Sequence, residues 1–177
     1  MRTVLEDGLR RNRTLPIGDL RLQDLANYTV FRDSNLVKRC LFHFPTVRRE
    51  DGSLPAACIF EKPTLTASTD YIVDYDALFA AIVYDHVEAS GDTKIDHILW
   101  ETVLDCPKRL LGNLNHTSYG FEAERSKHHM FLDWAQGLDK CAGAHGLILY
   151  CLKVTNKLAV RLDKQPPYNE LCLGRRC

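Results

Sequence analysis

Residues 146–170 read GLILYCLKVTNKLAVRLDKQPPYNE, two apolar runs around a short polar break that lead into Tyr168-Asn169-Glu170. From Leu147 to Val154 the run is nearly continuous and of β type, the pattern of a strand buried on both sheet faces. From Lys157 to Leu162 the residues alternate, with Leu158, Val160 and Leu162 on one side. Two strands at this end set the expected class: a single α/β (α+β) domain with a mixed or mostly antiparallel sheet and two or three packed helices.

Working outward, Leu41, Phe42, Phe44 and Val47 form an apolar run of strand formers, Arg49 to Ser53 supply a turn, and Ala56 to Phe60 return. The pattern predicts a β-hairpin. Ser68-Thr69-Asp70 offers an N-cap before Ile72, Tyr75, Phe79, Ile82 and Val83, whose spacing predicts a helix over 70–88. Asp92-Thr93 caps a second helix through Val103, closed by Pro107. A third helical face runs from Phe121 through His128, Phe131 and Ala135 to Leu138. Residues 1–18 are Arg-rich and broken by Leu15-Pro16-Ile17-Gly18, an arm or irregular lead-in to a domain over 19–177.

The chain has 177 residues, 45% of them apolar, enough for one domain to bury a core without metals or disulfides. The longest apolar run falls short of a membrane span, and the start lacks a signal-type hydrophobic core. Seven cysteines, mostly inside apolar segments, read as free thiols in a reducing setting. The expectation is an intracellular protein, cytoplasmic or nuclear, without a membrane partner. The sequons at Asn12, Asn27 and Asn115 carry little weight without a signal.

Twenty-three basic and 23 acidic residues balance, but they are segregated. Residues 1–50 hold ten bases and six acids, 70–105 nine acids and one base, and 106–177 eleven bases and six acids. Arg10, Arg11, Arg13 and Arg21 are the candidate nucleic-acid contacts. Pairing of acidic and basic segments within one neutral domain is the simpler account, since nucleic-acid binders carry a clear basic excess.

The chemistry-bearing patterns are sparse. Cys141 and His145, His128 and His129, and Cys172 and Cys177 do not form the matched close pairs that zinc sites use, and no metal or cofactor is expected. Asp70, Asp74 and Asp76 suit a divalent-metal nuclease by residue type, though enrichment of acids at a helix start follows from the macrodipole alone. No P-loop, dinucleotide or serine-hydrolase signature occurs.

Ile98-Leu99-Trp100, Tyr119-Gly120-Phe121, Ser126-Lys127, Gly146-Leu147-Ile148-Leu149 and Tyr168-Asn169-Glu170 follow one another in an order that resembles the catalytic domain of the poly(ADP-ribose) polymerase family. The resemblance covers roughly residues 70–173 and implies that Glu170 is the catalytic glutamate. It also implies loss of the NAD clamp, because Glu101-Thr102 follow Trp100 where the family has His-Gly. The expected role is therefore a non-catalytic protein-interaction or scaffold module, a pseudoenzyme on a degenerate ADP-ribosyltransferase-like fold with a protein partner. The alternative is an active enzyme, either an NAD-dependent ADP-ribosyltransferase using Glu170 or a metal-dependent nuclease using Asp70, Asp74 and Asp76.

Overall fold

A computed structural model describes residues 4–8, 13–61, 64–112, 130–132 and 135–172. The fold is α+β, as expected, with a small antiparallel sheet. Helices carry more of it than the two or three anticipated: five have 13 residues or more among the described residues. The order is β1 (Thr14–Pro16), α1 (Ile17–Val30), α2 (Ser34–Thr46), β2 (Ala57–Glu61), β3 (Thr64–Ala67), α3 (Val73–Ser90), α4 (Thr93–Leu111), α5 (Lys140–Arg161) and the single turn α6 (Asn169–Cys172).

The helix expected over 70–88 forms as α3 and is the centre of the molecule. α3 packs against α1, α2, α4 and α5. Its buried positions run nearly all round, including Val73, Ala77, Phe79, Ala80, Ala81, Ile82, Val83 and Val87, as required of a helix enclosed by others. Gly91 ends it in the left-handed region, φ +69°, a C-cap that glycine adopts without strain. α4 follows with Asp92 accepting from the Lys94 N–H at 3.0 Å. It passes Pro107, expected as its end, and runs on to Leu111.

Two strand expectations are corrected. Residues 41–46 close α2 instead of opening a hairpin, because Val37, Cys40, Leu41 and Phe44 recur at helical spacing and Asp33 caps the start at the Leu36 N–H, 3.0 Å away. Residues 147–154 and 157–162, read as two strands, instead fall in one helix of 22 residues, α5, and its C-cap Leu162. Its buried Ala144, Ile148, Cys151, Leu152, Thr155, Leu158 and Ala159 mark one helical face. Asp139 accepts from the Cys141 and Ala142 N–H groups at 3.0 and 3.1 Å and fixes its start.

The same correction reaches the ADP-ribosyltransferase-like elements. Ile98-Leu99-Trp100 lies within α4, Gly146-Leu147-Ile148-Leu149 within α5, and Glu170 within α6; none is a strand. Tyr119-Gly120-Phe121, Ser126-Lys127 and most of the third predicted helix lie outside the described residues. Tyr168 itself is buried, its N–H donating to Asn156 Oδ1 at 2.9 Å and its hydroxyl to the Leu104 carbonyl at 3.2 Å.

The lead-in expected over 1–18 is part of the fold from Thr14 onward. β1 pairs with β2 antiparallel, Thr14 opposite Ile59 and Pro16 opposite Ala57, and β2 pairs with β3, Cys58 opposite Ala67. Asp7 bridges back to Thr14. Leu15 and Ile17 are fully buried. The sheet thus sits beside the start of α1 and the approach to α3, and between them lies a cleft.

Candidate functional site

The cleft has a volume of about 420 Å³, within the range of small-molecule sites. β1 and the start of α1 supply Thr14 and Asp19, the sheet supplies Ile59, the turn into α3 supplies Thr69 and Asp70, and the first turn of α3 supplies Tyr75. The mixture places carboxylates and hydroxyls against apolar surface.

Asp19 is half-buried in the first turn of α1. Burial raises its carboxyl above the usual range, and the neighbouring charge of Asp7 adds to the effect. Tyr75 lies close to the same charges: its phenol is pushed up to about 12 by burial, then by Asp19, Asp74 and Asp7. The Tyr75 ring packs directly on the backbone of Gly18, where a β-carbon would overlap the ring. On another side Phe131 meets it edge-on, centroids 6.1 Å apart at 79°.

Asp70 is exposed on the cleft, and its carbonyl accepts from the Ala56 N–H at 3.0 Å. The three aspartates grouped by sequence therefore part company. Asp74 turns away and accepts from the N–H groups of Phe131 and Leu132 at 2.9 and 3.0 Å. Asp76 is enclosed and held by Arg109 and Tyr71. Two of the three carboxylates are thus committed to protein partners, and among the described residues no group of three His, Cys, Asp or Glu side chains is placed to hold a metal ion.

Of the arginines suggested as contacts, Arg21 pairs with Asp85 at 3.1 Å and donates to the Tyr150 hydroxyl at 2.8 Å, so it fastens α1 to α3 and α5. Arg13 is exposed; Arg10 and Arg11 lie outside the described residues. Glu170 lies on α6, an element that supplies none of the described residues lining the cleft. Cys40, Cys58, Cys106 and Cys151 are buried and free, their thiols raised chiefly by burial, so none is an activated nucleophile.

Sequence reasoning passed over Asp19 and Tyr75. An acid in a helix first turn is accounted for by the macrodipole, and an aromatic at helical spacing reads as core. The one local signal is Gly18, a glycine inside a helix with a carboxylate beside it, where a ring comes too close for a side chain.

No family model matches the chain, and no curated protein does. Among solved structures, a rhamnosidase from Klebsiella oxytoca with rhamnose bound is similar, at 32% identity and a TM-score of 0.85. The match covers 99% of this chain and 33% of that one. The chain thus spans about a third of the length of the rhamnosidase it resembles.

Proposed function

We propose that this chain is a carbohydrate-binding unit of rhamnosidase type, and that the cleft lined by Asp19, Asp70 and Tyr75 takes a rhamnose-like 6-deoxyhexose. The observation that carries this reading is 32% identity sustained over 99% of the chain with a rhamnosidase that holds rhamnose. The chemistry of the cleft supports it. A 6-deoxyhexose offers hydroxyls to Asp19, Asp70, Thr14 and Thr69, and a methyl group to Ile59 and Ile72. Glycoside cleavage commonly uses two carboxyl groups, one of which gives its proton to the glycosidic oxygen. Asp19, with its raised carboxyl, suits the proton donor, and Asp70 is a second carboxyl on the cleft.

Calorimetric titration of the full chain with rhamnose tests the reading. Saturable binding that Asp19→Asn and Asp70→Asn each weaken supports it. The absence of binding, together with a thermal shift from NAD lost in Glu170→Gln, would restore the ADP-ribosyltransferase-like alternative.

A non-catalytic protein-interaction module is a second reading. It is favoured by the apolar side chains that α1 and its C-cap leave in solvent, Leu22 at 71% and Phe31 at 78% exposure, with Leu25 and Val30 beside them. Self-association lost in Leu22→Glu/Phe31→Glu, measured by sedimentation, checks it. The buried free thiols support a reducing compartment, cytoplasmic or nuclear. Among the described residues no helix is long and apolar enough to cross a membrane.

A further inference from the structure

The geometry points to Asp74 as a positioning residue for the cleft: it holds the Phe131–Leu132 backbone so that Phe131 braces the Tyr75 ring against the ligand. This rests on the reading of the cleft as a sugar site. Asp74 is 5% exposed, yet neither of its oxygens serves the α3 N-terminus, whose N-cap is Ile72 without a side-chain bond. Both are spent on amides 57 and 58 residues away in sequence. Bonds from a carboxylate to backbone N–H groups are the stronger, charge-assisted kind.

The segment so held is costly in itself. Leu132 has φ +46°, in the left-handed region that a branched side chain seldom occupies. Three contacts keep it there: the Asp74 carboxylate on its N–H, Lys140 Nζ donating to the Met130 carbonyl at 3.0 Å, and its own side chain close against Gly143. Successive helix residues point about 100° apart, so Asp74 faces this segment while Tyr75 faces Gly18 and the cleft. Phe131 closes the circuit by returning its ring to Tyr75. Gly18 on one side and Phe131 on another leave Tyr75 a single place to stand beside Asp19. A small misplacement of such a wall lowers affinity without unfolding anything.

The test is rhamnose titration of the full chain well below its melting temperature, with amide hydrogen exchange on the same samples. Asp74→Asn is expected to speed exchange at Phe131 and Leu132 and to weaken rhamnose binding about five- to tenfold. Phe131→Leu should weaken binding to a similar extent, and the double variant should be no worse than either single one, since both act through one contact. Asp76→Asn serves as the structural control: it lowers the melting temperature and leaves the rhamnose Kd unchanged. Faster exchange in Asp74→Asn with a wild-type Kd would overturn the positioning role while leaving the sugar reading intact. Unchanged exchange would overturn the anchor itself. A wild-type chain that does not bind rhamnose removes the sugar reading and this role together, a result distinct from the other two.

Discussion

Asp76 and Arg109 form a two-pronged ion pair between α3 and α4, Nε to Oδ2 at 2.9 Å and Nη2 to Oδ1 at 3.0 Å. The Asp76 side chain is 0% exposed, and the Tyr71 hydroxyl donates to the same carboxylate at 3.1 Å. Removing one partner strands a charge away from water. Arg109→Ala is expected to cost about 3–5 kcal/mol, read from the shift in a urea denaturation midpoint. Replacing Asp76, Arg109 and Tyr71 together by apolar residues of similar volume should cost less than Arg109→Ala alone.

Asp24 presents the opposite case. It is 0% exposed on the inner face of α1, and neither carboxylate oxygen has a hydrogen-bond partner among the described residues. Burial, then the charge of Asp85, pushes its carboxyl from 3.8 to about 8. A folded value above the unfolded one means the group favours folding fully below about pH 4, and that this advantage is lost as pH rises towards 8. Asp24→Asn should therefore flatten this part of the stability profile and raise stability at pH 8 relative to wild type. Denaturation series at pH 5 and pH 8 check it; a variant no more stable than wild type at pH 8 would contradict the sign.

Gly18→Ala places a methyl group where the Tyr75 ring lies. Overpacking of this kind typically costs about 1–3 kcal/mol, and on the proposed sugar reading it should also weaken rhamnose binding, because the ring it displaces lines the cleft. Thermal melting and calorimetry on the same variant separate the two effects.

Thiol mapping offers a check on the core. Cys40, Cys58, Cys106 and Cys151 should stay unmodified by a thiol reagent until the chain unfolds, whereas Cys141, exposed at the start of α5, should react in the native state. Mass-spectrometric mapping after timed alkylation reads this directly.

How far the sequence discloses this fold depends on the reach of each signal. α3 and α4 are legible because their apolar spacing, acidic starts and, for α3, Gly91 agree. β2 is legible as a strand, but its partners β1 and β3 are not, since the apolar run before it belongs to α2. α5 defeats a short reading window: Leu147 to Cys151 is apolar on consecutive positions, and only the full span to Arg161, with a cap at Asp139, separates helix from strand. The cleft is still less legible. Asp19 and Tyr75 lie 56 residues apart and meet only because α1 packs on α3, whereas Asp70, Asp74 and Asp76 are close in sequence and diverge on folding.

Every other long helix leans on α3, and Tyr75 belongs to that helix. One wall of the cleft, the Tyr75 ring, is thus carried by the helix against which the other long helices pack. On the proposed reading, a sugar bound there would stabilise the whole chain by mass action. Occupancy should move a single unfolding transition as one unit, so that melting temperature becomes a direct gauge of ligand affinity.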